Sequence, residues 1–276
     1  MKDAAPQDPA GASISAHSTL FDFSALSREP DVDDDALLAY DATDELLLST
    51  SAALLEGIGP GELVVIGDRH GALTLGAALA HGVTGIRVHQ DPLLGELALA
   101  RNAERLGGAD AYTNLPLGPA LLAGARFVLV QLPRGLDALD EISAAIARWA
   151  APDVVVLAGG RVKHMTLAMN EVLRRSFEEV SAGLAARKSR LLTARGPRTA
   201  DELGPERFPL WGTDPDLPFS LAAYGATFGG ATLDRGARLM LRALGESPRG
   251  ETARNIVDLG CGTGALAAEP LAPVID

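Results

Sequence analysis

Residues 255–267 read "NIVDLGCGTGALA". An apolar strand leads into glycines at alternate positions, Gly260, Gly262 and Gly264, and small residues open a helix behind them. Glycine at those places lets the backbone turn sharply and approach a ligand with no Cβ in between. A helix start behind such a turn offers unpaired N–H groups and the positive end of its dipole. The stretch therefore reads as the first βα unit of a nucleotide-binding α/β sheet. Two other readings stand beside it. One is an ordinary tight βα turn without a ligand. The other is a dinucleotide turn, whose Gly/Ala spacing is satisfied by Gly260, Gly262 and Ala265. Nine residues follow Ala267, so the expectation is a unit that opens a sheet without completing it.

Working backwards, residues 63–196 alternate short apolar runs with amphipathic stretches. "LVVIG", "GIRVHQD", "RFVLVQLP", "DVVVLAGG" and "SRLLTA" read as strands. Between them lie the helices "ALTLGAALAHG", "LLGELALARNAERLGG", "LDALDEISAAIARWAAP" and "MTLAMNEVLRRSFEEV". Leu136, Leu139, Ile142, Ile146 and Trp149 recur every three or four residues and mark one helical face. "DDDALLAYDATDELLLSTSAALLEGI", residues 33–58, also reads as helix. Strands apolar on both faces, alternating with helices, predict a mostly parallel sheet covered on both sides. The fold class is α/β, Rossmann-like.

The expected organisation is an acidic mobile arm over 1–36, an α/β domain over 37–196, a proline-rich linker over 197–220, and the start of a second α/β domain over 221–276. Asp and Glu outnumber basic residues in 1–45, leaving a net charge of −9 there, whereas 161–198 carries +6. The whole chain of 276 residues is at −12, which argues against a uniformly basic nucleic-acid binder and leaves room for a local basic face. Apolar residues make up 47% of the chain, ample for packed cores. No leader-like start and no long apolar run is seen, so a cytoplasmic location without a membrane span is expected. Cys261 is the single cysteine and the five histidines lack ligand spacing, so no disulfide and no metal site is expected.

Asp258, two residues before the first glycine, separates these readings. "VDLGCGTG" resembles the first motif of class I S-adenosylmethionine-dependent methyltransferases. The resemblance implies that Asp258, Gly260, Cys261, Gly262, Thr263 and Gly264 surround S-adenosyl-L-methionine at its methionine end. A carboxylate is favourable beside an ammonium and a sulfonium, and unfavourable beside a pyrophosphate.

Shifted by 193 positions, "VIGDRHGAL" (65–73) lies over "DLGCGTGAL" (258–266), with Gly67 on Gly260 and Gly71 on Gly264. Val65 stands where Asp258 does, and Arg69 replaces the middle glycine. "IRVHQDPLLGELALARNAERLG" resembles the family's second motif, with Asp91 as the strand-end acid. At the next strand end, where amino-methylating members carry Asn-Pro-Pro-Tyr/Phe, this chain has Gln131, Leu132, Pro133 and Arg134. Two such halves, the first degenerate, resemble the tandem-domain ribosomal RNA guanine-N2 methyltransferases. That likeness implies methylation of an exocyclic guanine nitrogen in rRNA, with residues 1–276 themselves expected to be inactive because no Asn-Pro-Pro segment is among them. Catalytic residues are therefore expected to be none.

Arg187, Lys188 and Arg190 are the candidate RNA contacts, against the alternative of a solvated surface. A non-catalytic RNA- or ribosome-binding protein is the second function class, and a nicotinamide-dependent oxidoreductase the third. Lys163 and His164 are expected to cap nearby backbone, and His70 to belong to a remodelled turn. Cys261 is expected to be a small packing residue of the glycine loop, and Trp211 and Phe228 to be buried packing residues, against the alternative that they shield a cofactor edge.

Overall fold

A computed structural model describes residues 21–32, 34, 36–245 and 257–268. At its centre is β1 (Leu63–Ile66), buried along its whole length. Side chains alternate between the faces of a strand, so Leu63 and Val65 enter one apolar cluster while Val64 and Ile66 enter another. Around it lie β2 (Ile86–His89), β3 (Tyr112–Asn114), β4 (Phe127–Gln131), β5 (Val155–Arg161), β6 (Phe177–Ala182) and β7 (Ser189–Pro197). The sheet order is β3-β2-β1-β4-β5-β7-β6. Strand β7 runs antiparallel to both neighbours, and the other ladders are parallel. The order reverses between β1 and β4, which places a crevice beyond their carboxyl ends, where open α/β sheets bind ligands.

Helices α1 (Ala42–Leu55), α2 (Ala72–His81) and α3 (Leu93–Leu106) cover one face. Helices α4 (Pro119–Leu122), α5 (Leu136–Trp149) and α6 (Leu167–Ser176) cover the other. Leu139 and Ile146 of the α5 stripe are buried, whereas Leu136 and Trp149, at the helix ends, remain partly exposed. Glycines at 82 and 107 end α2 and α3 in the left-handed conformation, as their positions after the last apolar residue predict.

Three boundaries differ from the sequence reading. Helix α1 begins at Ala42, not near Asp33, because Asp41 caps it and Asp44 returns the bond in a capping box. The helix expected through Val180 stops at Ser176; Phe177 is fully buried and residues 177–182 pair with β7 instead. The acidic arm expected to reach residue 36 ends sooner. Phe21, Phe23 and Leu26 are buried in the α1–α3 cluster, and the Phe21 and Phe23 rings meet edge to face with centroids 5.1 Å apart. Apolar side chains that bury this way offset the ordering cost of the segment carrying them.

Beyond β7 come α7 (Ala200–Leu203), β8 (Leu210–Gly212), β9 (Leu221–Ala223), α8 (Arg235–Gly245) and α9 (Ala265–Ala268). Strands β8 and β9 form an antiparallel ribbon, and Leu217, Leu221, Leu233 and Ala265 make a small separate core. No helix among the described residues is long and apolar enough to cross a membrane.

Candidate functional site

The glycine turn has the backbone its sequence requires. Gly260, Gly262 and Gly264 have φ of 76°, 55° and 76°, a region that L side chains rarely adopt. Space is open beside Gly260 and Gly264, while a Cβ on Gly262 would lie 3.7 Å from the Phe228 carbonyl oxygen. Gly264 N donates to Cys261 O at 2.8 Å and closes the turn. Asp258 Oδ2 is buried and has no hydrogen-bond partner. An orphaned buried carboxylate oxygen is a standing acceptor for a donor-bearing or cationic ligand. Val257 and Asp258 are not in a strand; the earlier part of the expected strand, residues 255 and 256, lies outside the described residues. Val257 and Leu259 are 80% and 91% exposed, because no described strand pairs alongside them.

The corresponding turn of the first domain keeps the backbone and is filled by its own side chains. Gly67 and Gly71 are left-handed, with φ of 83° and 93°. Asp68, fully buried, accepts from Thr74 N at 2.7 Å and so occupies the start of α2. Gln131 donates to Asp44, close enough to Asp68 for the two carboxyls to act on each other. His70 is buried with Nδ1 3.0 Å from Ala39 O, a remodelled turn that burial holds neutral by lowering its pKa. Asn102 donates to Ser27 O and His70 O, each at 2.8 Å, and accepts from Ser27 N. Ser27 and Ala39 are thereby tied to the turn after β1 and to α3. Asp91, the strand-end acid, is instead exposed, 3.8 Å from His89 Nε2.

Burial raises the Asp44 carboxyl to about 7, with Asp68 the next largest cause and the Asp41 backbone N–H and Gln131 opposing the shift. Burial also raises Asp68, against hydrogen bonds from Thr74 and Leu73. Two carboxyls so placed share a site in which ionising both is costly.

The basic candidates Arg187 and Lys188 occupy the two-residue turn between β6 and β7. Ala186 and Ser189 exchange both backbone hydrogen bonds at 2.8 Å, and Arg187 and Lys188 have φ of 50° and 63°. A two-residue turn with both central residues left-handed favours Asn-Gly; here two long cations sit in the strained positions. Arg187 pairs with Glu45 yet stays largely exposed. The register Gly160↔Arg190 and Arg161↔Ser189 brings in Arg161 and, through Val162 N donating to Lys188 O, the neighbouring Lys163. No local sequence signal marks Arg161 as a candidate, since only the antiparallel register places it there. Lys163 and His164 are exposed on a short 3-10 turn.

Three packing expectations are corrected. Trp211 and Phe228 are 71% and 85% exposed. Trp211 points off an isolated two-stranded ribbon, and Phe228 lies in a turn, so neither has a second layer to enter. Cys261 is also exposed. Among the described residues no group of three or more His, Cys, Asp or Glu could hold a metal. The glycine turn and the basic turn are separate features; no hydrogen bond joins them among the described residues.

Comparison with known proteins matches residues 15–198 to the RLMG N-terminal domain and residues 219–273 to the methyltransferase small domain. The chain is 33% identical over 246 residues to ribosomal RNA large subunit methyltransferase G of Pseudomonas entomophila (strain L48), covering 88% of this chain. It is equally 33% identical over 245 residues to the protein of that name from Pseudomonas syringae pv. syringae (strain B728a). The chain spans 63% of the length of each of these relatives. Among solved structures, the T. thermophilus 16S rRNA N2 methyltransferase RsmC, in complex with AdoMet and guanosine, aligns with a TM-score of 0.53. Identity there is 15%, over 75% of this chain and 52% of that one. The likeness establishes the methyltransferase type of sheet.

Proposed function

The chain belongs to the RLMG N-terminal domain family, and from that premise we propose that it is part of an S-adenosyl-L-methionine-dependent ribosomal RNA methyltransferase acting on an exocyclic guanine N2. The single observation that carries the proposal is the buried, unpartnered Asp258 Oδ2 beside three left-handed glycines. That set fits the cofactor: Asp258 would accept from its ammonium, and Gly260, Cys261, Gly262, Thr263 and Gly264 would line it with backbone. The cofactor supplies, when bound, a sulfonium methyl open to direct displacement by the exocyclic nitrogen. Asp258 binds and orients the donor, and its negative charge favours the cationic ground state over a neutral analogue.

In this reading residues 37–196 are a degenerate domain with an RNA-facing role, 197–220 a connection, and 221–276 the donor-binding start of the catalytic domain. Arg187, Lys188 and Arg190, with Arg161 and Lys163, would contact RNA phosphates. The strained basic turn also supports a second reading, a non-catalytic RNA-binding protein, since strain of this kind collects where function requires it. Calorimetric titration with S-adenosylhomocysteine separates the two. Saturable binding abolished by Asp258→Ala is expected for the methyltransferase reading. Absence of binding, with salt-dependent RNA affinity retained, would leave only the second.

A further inference from the structure

The segment joining the two halves is fastened to one helix at several points. Arg148, near the end of α5, donates to Gly204 O at 2.7 Å. About two turns earlier, Asp140 pairs with Arg207 and, at 3.4 Å, with Arg175, while its side chain is only 6% exposed. Next to it Glu141 Oε2 accepts from Gly225 N at 2.7 Å. Gly225 lies so close to α5 that a Cβ would come within 2.3 Å of Asp137 O and 2.8 Å of Ala138 Cα. The chain therefore retraces α5 towards its start and docks on bare backbone there.

From that dock a compact turn leads to the cofactor loop. Thr227 N donates to Tyr224 O at 3.0 Å, Gly230 N to Thr227 O at 3.1 Å, and Thr232 Oγ1 to Gly229 O at 2.8 Å. The Phe228 carbonyl then faces Gly262 of the glycine turn. Asp91 and His89 act on Glu141 electrostatically, and the hydrogen bond its carboxylate accepts comes from the Gly225 amide. Such a charge-assisted bond is stronger than a neutral one.

We infer that Glu141, on the degenerate domain, is a positioning residue for the donor-binding loop: through Gly225 it fixes the Tyr224–Gly230 turn, whose Phe228 carbonyl backs Gly262. The inference rests on the proposed role of residues 258–264. It gives the first domain a specific task in the second domain's site, beyond contact with RNA. Glu141 touches neither donor nor acceptor and acts only through the backbone it holds.

Hydrogen exchange on the full chain tests it, with peptides covering 222–230 and 257–264 followed alongside β1 and β4. Glu141→Leu should raise exchange in both segments about tenfold, the loss of one charge-assisted bond, and leave the β1 and β4 peptides native. Glu141→Gln, which keeps an acceptor oxygen, should restore most of the protection. Gly225→Ala, which forces the segment off α5 without altering Glu141, should reproduce the Glu141→Leu pattern. Deprotection confined to 222–230, or none at all, would overturn the inference. S-adenosylhomocysteine titration of the same variants should show affinity falling about tenfold in parallel. Failure of the native chain to bind would count against the cofactor reading alone, because exchange reports the positioning without ligand.

Discussion

Gln131, the last residue of β4, donates its side-chain amide to Asp44 in the first turn of α1. The two meet where β1 and β4 part, and Asp68 approaches the same corner closely enough to raise Asp44. A crevice that the topology would leave open is thus closed by a carboxyl–carboxamide contact. The donor-binding site we propose is instead the open glycine turn at residues 258–264.

That closure makes folding sensitive to pH. Asp44 is raised from 3.8 to about 7, so the folded chain holds this proton more tightly than the unfolded one. Its contribution is fully present below the ordinary carboxylate range and is lost as pH rises through about 7. The loss should be roughly 2–4 kcal/mol between about pH 5 and about pH 8. Asp68, also raised, acts in the same direction, and His70, lowered, acts oppositely. Asp44→Asn keeps an oxygen for Asp41 N and removes the charge. Urea midpoints should therefore fall less with pH in the variant than in the native chain, and the variant should be the more stable at about pH 8.

The turn at Arg187 and Lys188 should trade stability for binding. Arg187→Asn with Lys188→Gly places in the two left-handed positions the residues that favour them. It should stabilise the chain by about 1 kcal/mol, net of the exposed Glu45 pair. The same double variant should weaken affinity for an rRNA fragment and flatten its salt dependence by about two ionic contacts. Unchanged RNA affinity would make the turn a strained surface feature only.

Phe177 sits at the junction of α6 and β6 with no exposed surface. It packs among the side chains of α5, α6 and β7. Phe177→Ala should cost about 3–5 kcal/mol in chemical denaturation, the usual penalty for such a cavity. A cost near zero would mean that β6 is not docked as described.

The elements legible in the sequence are those with a strong local signal. Strands β1, β2, β4, β5 and β7 follow from apolar runs, and α2 and α3 from helical spacing closed by glycine. Strand β3 was not legible because Tyr112–Asn114 has no apolar run; it exists by pairing with β2. Strand β6 was hidden because Phe177 and Val180 extend the spacing of the preceding helix, and only pairing with β7 decides against it. The glycine turn was legible because left-handed backbone has a residue signature. The Glu141–Gly225 contact was not, since it joins residues 84 positions apart and no local pattern marks either. Exposure of Trp211 and Phe228 was missed for the same reason: aromatic residues are buried only where a second layer exists to receive them.

The most direct test of where the donor binds is ultraviolet crosslinking of radiolabelled S-adenosylmethionine to the full chain, followed by tryptic peptide mapping. Label should appear in the peptide that follows Arg254 and contains Asp258 and Cys261, and Asp258→Ala should abolish it. Label in the peptides beginning at His70 or Val88, or no specific label anywhere, would contradict the assignment.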